Sequence, residues 1–149
     1  MSDIVIRSIE KNDYSEYLSL MKEFHGYNYE ISYNDFCKQL LVLIENNFCN
    51  IFVIYSNKEN KIIGAGSIYK LIKLHNNAVG QIEDIIITEK YRGYGYGKIL
   101  IKKLCEIGLT NFKCYKIILN CLEKNIEFYE KCEFIIAGVE MKYNIINNI

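Results

Sequence analysis

"GQIEDIIITEKYRGYGYGKILI", residues 80–101, joins a strand-like run to a helix-like run through Gly93, Gly95 and Gly97 at alternate positions. Upstream, "AVGQIEDIIIT" (78–88) is rich in β-branched residues and reads as a strand. Downstream, Leu100, Leu104 and Ile107 recur at helical spacing, with Ile101, Cys105 and Gly108 alongside. A glycine loop between strand and helix is a candidate anion site. The amides of the first helical turn lack partners, and the helix dipole adds about half a positive charge there. Glycines let the backbone approach a phosphate with no Cβ in the way. Arg92 before the loop and Lys98 after it add charge of the right sign.

Three phosphate motifs compete for this loop. The Walker pattern fails because Ile99 follows Lys98 and Arg92 stands where its first glycine belongs. The dinucleotide fingerprint, started at Gly93 and Gly95, meets Lys98 where its last glycine belongs. It should also follow the first strand of a βαβ unit, and this strand lies past mid-chain. What remains is RxxGxG, Arg92 to Gly97 with Tyr94 and Tyr96 between the glycines. A glycine turn that only caps a helix is the plain alternative.

Working outward, "IVIRSI" (4–9) reads as a strand. Asp13 can cap a helix carrying Tyr14, Tyr17, Leu18, Met21 and Phe24, which Gly26 can end. Ser32 and Asp35 suggest a capping box before Phe36, Leu40 and Leu43. "FCNIFVIY" (48–55) and "IIGAGSIYKLIK" (62–73) read as strands around the turn "SNKENK". Beyond the glycine loop, "YKIILN" (115–120) predicts a strand, "EKNIEFYEKC" (123–132) a short helix and "FIIAGVEMKY" (134–143) a final strand. The order β-α-α-β-β-β-loop-α-β-α-β fits one α+β domain over 1–149, with a mixed, mostly antiparallel sheet flanked by helices on both faces.

The composition narrows the function classes. Eighteen basic residues balance eighteen acidic ones, so any anion is caught locally and nucleic acid is not an expected partner. The six cysteines include no CxxC pair, and no zinc-ligand spacing is present. No apolar run approaches the ~18 residues of a membrane span, and "MSDIVIRSIE" has no signal-peptide pattern. The expected setting is cytoplasmic, with free thiols and no metal.

RxxGxG in this element order resembles the GNAT acetyltransferases. Residues 80–142 are similar in finer detail to the glucosamine 6-phosphate N-acetyltransferases, through Glu83-Asp84, "CYKIIL" (114–119) and "EKNIEFYEKC" (123–132). The resemblance implies acetyl transfer from acetyl-CoA to an amino sugar phosphate, and a homodimer. It implies that Arg92, Gly93, Tyr94, Gly95, Tyr96, Gly97 and Lys98 hold the pyrophosphate, and that Asn125 contacts CoA. The pantetheine arm is expected to pair like an added strand with Ile85, Ile86 and Ile87, leaving an amide near Ile86 for the oxyanion. Tyr129 is the expected acid for the leaving thiolate, since a phenol near pKa ~10 outranks a thiol near ~8.5. Asn125 and Tyr129 are four residues apart, hence on one helical face.

Glu83 and Asp84 are implied to hold the sugar. On a regular strand they alternate, so only one can face a given side. The chain departs from the resemblance at Asn120-Cys121, where an acidic residue beside Cys is usual. Asn120 can accept a hydrogen bond from the amine but cannot act as a base. The tail offers Lys142 and Asn144 where an arginine is usual. Lys73 and His75 fall near the expected basic sugar-phosphate segment. Two other readings stay open: a GNAT enzyme with another small amine acceptor, and a domain that binds acetyl-CoA without turnover.

Overall fold

The computed structural model of the chain describes residues 3–143. They divide into a larger unit ending at Leu119 and a smaller one beginning at Asn120. In the larger unit a five-stranded sheet runs in sequence order. β1 (Ile4–Ser8), β2 (Cys49–Ser56), β3 (Lys61–Lys73) and β4 (Asn76–Ile87) are successively antiparallel. β5 (Cys114–Leu119) lies parallel to β4, reached through helix α3 (Tyr96–Thr110). The mixed, mostly antiparallel sheet expected from the sequence is present.

Helices α1 (Tyr14–His25) and α2 (Tyr33–Glu45) cover one face of the sheet. Leu20 and Met21 of α1 and Phe36 and Leu40 of α2 pack there with Val53, Ile62, Ala65 and Ile86. α3 covers the other face, and Gly66 explains how closely. A Cβ at Gly66 would come within 2.5 Å of Ile85 Cδ1 and 3.1 Å of Leu100 Cδ2. The small residues of β3 therefore admit α3 and the Ile85 side chain together. Ser32 caps α2 as expected, accepting from the Asp35 amide at 3.1 Å.

Asp13 departs from its expected role. A 3₁₀ turn, Lys11–Asp13, precedes α1, and the Asp13 side chain does not cap the helix. It accepts instead from Arg7 at 2.7 and 2.8 Å and from the Glu10 amide at 2.7 Å. A guanidinium on the preceding strand outcompetes the helical amides for this carboxylate.

The smaller unit holds a 3₁₀ turn, Glu123–Asn125, and helix α4 (Ile126–Glu130), in place of the single helix expected over 123–132. Residues 134–143 form no strand, against expectation. Ile135, Ile136, Val139 and Met141 are exposed, Val139 by 91%. β-branched composition signals fitness for a pleated, half-buried surface and supplies no ladder partner by itself.

The Arg7–Asp13 pair sets a pH signature. Burial alone would raise the Asp13 carboxyl, but Arg7 and the Glu10 amide outweigh it and hold it below its ordinary value. A depressed folded pKa contributes stability above the unfolded value near ~3.9 and loses it as pH falls through the folded value. Asp13→Asn should cost about 2 kcal/mol at neutral pH, below the usual cost of breaking a fully buried pair because Arg7 is partly exposed. Denaturant unfolding at neutral pH and below pH ~3 should show the difference from wild type shrinking in acid. A constant difference would refute the linkage.

Candidate active site

β4 carries one residue more than its partner. Ser67 lies opposite Glu83 and Ala65 opposite Ile86, so Gly66 faces both Asp84 and Ile85. This is a two-against-one bulge. Asp84 sits at its turn with φ of 53°, a left-handed conformation that aspartate tolerates better than most residues. The bulge defeats strict alternation. Glu83 shares the face of Gln81, which lies opposite Tyr69. Asp84 lines a cavity together with Tyr69, so both carboxylates belong to the α1–α2 face. Glu83 is fixed by Gln81 Nε2, which donates to its Oε1 at 3.0 Å, and by Ser67 Oγ, which donates to its carbonyl at 3.1 Å.

The bulge lies where β4 and β5 part. Their parallel register runs from Ala78↔Cys114 to Ile82↔Leu119 and stops. Glu83 to Ile87 continue with β3 on one side and an open edge on the side β5 has left. Backbone direction alternates along this edge. The Thr88 amide donates to the Ile63 carbonyl at 2.9 Å, so the Ile86 amide two residues earlier also faces β3. The Ile86 carbonyl points the same way, 2.9 Å from where a Cβ on Gly64 would stand. The free amides therefore belong to Ile85 and Ile87. The amide of Ile86, the expected oxyanion donor, thus faces β3, and its side chain is core.

The glycine loop follows at the end of this edge. Gly93 and Gly95 both have φ of 83°, the left-handed region. Gly95 is the N-cap of α3, with no side chain capping it and no acidic residue in the first turn. The first helical bond runs from Ile99 N to Gly95 O at 3.2 Å. The amides of Tyr96, Gly97 and Lys98 precede it and face outward at the positive end of α3. Arg92 Nε donates to the Ile87 carbonyl at 2.9 Å, which ties the loop to the open edge and leaves the terminal guanidinium nitrogens for an anion. Tyr94 and Tyr96 stack at 6.2 Å, with Tyr94 largely exposed. Glu59, from the β2–β3 turn, accepts from Lys90 and so braces the segment leading into the loop. Lys90 first and Tyr91 second hold the Glu59 carboxyl down at about 2.

A cavity of ≈ 250 Å³ lies under α1 and α2, lined by Tyr17, His25, Tyr29, Tyr69 and Asp84 above an apolar floor that includes Met21 and Phe36. Burial pushes the Tyr17 phenol up, and it pushes Tyr69 up to about 12, with Cys49 and Asp84 adding to the effect. Both remain hydrogen-bond donors at neutral pH. Among these residues only Asp84 was singled out from sequence. His25 had a signal: four residues after Met21, it continues the apolar stripe of α1.

The expected sugar-phosphate residues Lys73 and His75 are not brought to this cavity. They lie at the β3–β4 hairpin, where Lys73 pairs with Asn76. From Asn76 to Asp84, β4 runs about 26 Å. In the smaller unit, Asn120 and Cys121 precede the 3₁₀ turn, Asn125 is the N-cap of α4, and Tyr129 lies within that helix. Burial pushes the Tyr129 phenol up to about 12, with Cys121 and Cys132 adding to it. Its ring meets Phe134 edge-on at 6.1 Å. Lys142 is exposed, and Asn144 lies outside the described residues.

Residues 11–134 match the Acetyltransferase (GNAT) family. A glucosamine 6-phosphate N-acetyltransferase of Trypanosoma brucei brucei is 33% identical over 143 residues, which are 90% of this chain and 92% of that protein. Glucosamine 6-phosphate N-acetyltransferase 1 of Dictyostelium discoideum is 44% identical over 93 residues, which are 61% of this chain and 59% of that protein. Among solved structures, a Trypanosoma brucei acetyltransferase superposes with a TM-score of 0.86 at 30% identity, covering 95% of this chain and 99% of that one. The glucosamine-6-phosphate N-acetyltransferase of Arabidopsis thaliana gives 0.86 at 26%, covering 95% and 97%.

The loop geometry makes Gly95→Val a specific test. A Cβ at Gly95 meets nothing within 4 Å, so the change strains only the backbone. The left-handed penalty is about 1–2 kcal/mol for an L-residue, and relieving it would swing the amides of the first turn. Calorimetric titration should show acetyl-CoA binding weakened at least ~10-fold, with folding retained by thermal melt. Unchanged affinity would reduce the loop to a turn.

Proposed function

The chain belongs to the GNAT acetyltransferase family, and we propose that it moves the acetyl group of acetyl-CoA to the amine of glucosamine 6-phosphate. In this reading the amine attacks directly in a ternary complex. The products are N-acetylglucosamine 6-phosphate and CoA, on the route to UDP-N-acetylglucosamine. The observation that carries the acceptor is the bulge at Asp84, which puts Glu83 and Asp84 on one face of the sheet, with Asp84 lining a cavity beside the open edge of β4. Two carboxylates suit a ligand with an ammonium group and several hydroxyls. The names of the Trypanosoma and Dictyostelium relatives support the same acceptor.

The donor's pyrophosphate rests on the amides after Gly95, with Arg92 and Lys98 supplying charge. Its pantetheine arm adds as a strand along Ile85 to Ile87. The Ile85 or Ile87 amide then donates to the tetrahedral oxyanion. Asn125 assists CoA binding. Tyr129 protonates the leaving thiolate; its raised pKa keeps the phenol protonated at neutral pH, so the proton is there to donate. Asn120 and Cys121 flank the acceptor, with Asn120 accepting from the amine. The exposed apolar side chains of Ile135, Ile136, Val139 and Met141 support a homodimer in which a second copy covers them. Asn120, in place of a carboxylate, favours a second reading, a domain that binds acetyl-CoA without turnover.

Two measurements test this. Thiol release should be followed on glucosamine 6-phosphate, glucosamine, a polyamine and free amino acids. The phosphorylated sugar should give the highest kcat/KM; preference for an unphosphorylated amine overturns the acceptor, and no release above background favours the non-catalytic reading. Tyr129→Phe should lower kcat by at least ~100-fold while acetyl-CoA affinity changes less than ~3-fold. An unchanged kcat with chemistry rate-limiting removes the acid role.

A further inference from the structure

His25 ends α1 at the cavity wall, opposite the bulge. Its Nε2 stands 3.8 Å from Asp84 Oδ1, too far for a direct hydrogen bond. Its Nδ1 is bonded to the Tyr29 hydroxyl. The ring is held between aromatic neighbours, with Phe24 at 4.6 Å and Tyr27 stacked at 5.7 Å and 22°. The side chains of His25 and Asp84 keep 33% and 34% of their surface, so the gap between them is open to a ligand. Two acceptor atoms 3.8 Å apart can both lie ~2.9 Å from one nitrogen placed between them.

We propose that His25 is the proton acceptor for the attacking amine, which Asp84 Oδ1 and His25 Nε2 hold between them, with Tyr29 fixing the imidazole through Nδ1. The proposal rests on the acyl-transfer reading above and supplies the base that Asn120 cannot provide. The bound ammonium donates one N–H to Asp84 and another to Nε2. Nε2 takes that proton and Nδ1–H donates to the Tyr29 oxygen, so the nitrogen recovers its lone pair. The lone pair attacks the thioester carbon; the N–C bond forms and the C–S bond breaks. The second proton lost by nitrogen balances the one gained by the departing thiolate. The imidazolium then returns its proton to water through the open side of the cavity.

The other groups facing His25 suit this role. Asp84 and Glu83 are the carboxylates that β4 places on this face of the sheet. Tyr17, Tyr27, Tyr29 and Tyr69 contribute no charge while protonated; Tyr29 is pushed up to about 12 by desolvation, its bond with Tyr27 and Asp84. The sign of the pH effect follows. An amino-sugar amine with a pKa near ~8, by analogy with an α-amino group, is mostly protonated at neutral pH and needs a base there. Above that value it arrives as free amine and the base matters less.

Steady-state kinetics of wild type, His25→Gln and His25→Ala should be measured across pH 6.5 to 9.5 with acetyl-CoA and glucosamine 6-phosphate. His25→Gln should lose ~100-fold in kcat at neutral pH, with the loss shrinking at alkaline pH and the KM for acetyl-CoA unchanged. Added imidazole should restore His25→Ala in a saturable way and leave wild type unaffected. A kcat within ~3-fold of wild type, or a loss that neither alkaline pH nor imidazole relieves in a variant folded by circular dichroism, overturns the proposal. Should wild type ignore glucosamine 6-phosphate but turn over another amine, the acceptor reading fails alone, and the same variants on that amine decide the role of His25.

Discussion

One extra residue in β4 governs the arrangement. A regular strand pairing β3 and β5 along its whole length would offer a ligand neither open amides nor two carboxylates on one face. Asp84 takes the left-handed turn of the bulge, and β5 ends its pairing at Ile82, two residues before it. The strand thereby gains an open edge from Glu83 to Ile87 and a carboxylate directed under α1. Gly66, opposite the bulge, is the complementary requirement. Without a side chain it lets Ile85 drop toward α3, which returns Ile86 to the α1–α2 core. The side chains on either side of the reacting strand are thus locked by two separate cores while its amides stay free.

Much of this was legible in the sequence, and the reasons for the rest are physical. The glycine loop was readable because Gly93 and Gly95 adopt a conformation other residues resist, so backbone geometry leaves a mark on composition. The α3 stripe was readable through its period, and strands β1 to β4 through their β-branched composition. The bulge was not. Period-2 reasoning assigned Glu83 and Asp84 to opposite faces, and an inserted residue changes parity without changing residue type. Nor could the direction of the backbone be read: Ile85, Ile86 and Ile87 are chemically alike, and only the β3 register shows that the Ile86 amide faces β3. Lys73 and His75 were expected at the sugar phosphate from the resemblance, and the register shows them at the β3–β4 hairpin, far along the sheet from Asp84.

The tail and His25 illustrate opposite failures. "FIIAGVEMKY" has the composition of a strand, yet 134–143 form none and 135–143 are exposed, because composition cannot supply a ladder partner. His25 carries in the sequence only the spacing that continues the α1 stripe, yet the fold brings Asp84, 59 positions away, to 3.8 Å from its ring. Long-range pairing is invisible to a window of a dozen residues in both cases, and it errs toward structure in one and toward a featureless surface in the other.

The two halves of the proposed chemistry make different demands on a sequence, which explains why the donor side was the easier to read. In the proposed reading acetyl-CoA is gripped by backbone: amides at a helix start, amides along a strand edge and a guanidinium tied to a carbonyl. Backbone sites constrain glycines and strand ends, and those patterns survive wide variation elsewhere. An acceptor amine is gripped by side chains whose roles can be exchanged. Asn120 cannot accept a proton, but the reaction requires only that some nearby group does. A base reached from α1 serves the same nitrogen as one reached from β5, provided the amine is held at the bulge. Asp84 and the open edge are therefore the parts of the site with no substitute, while the proton's destination is free to move among the elements that face them.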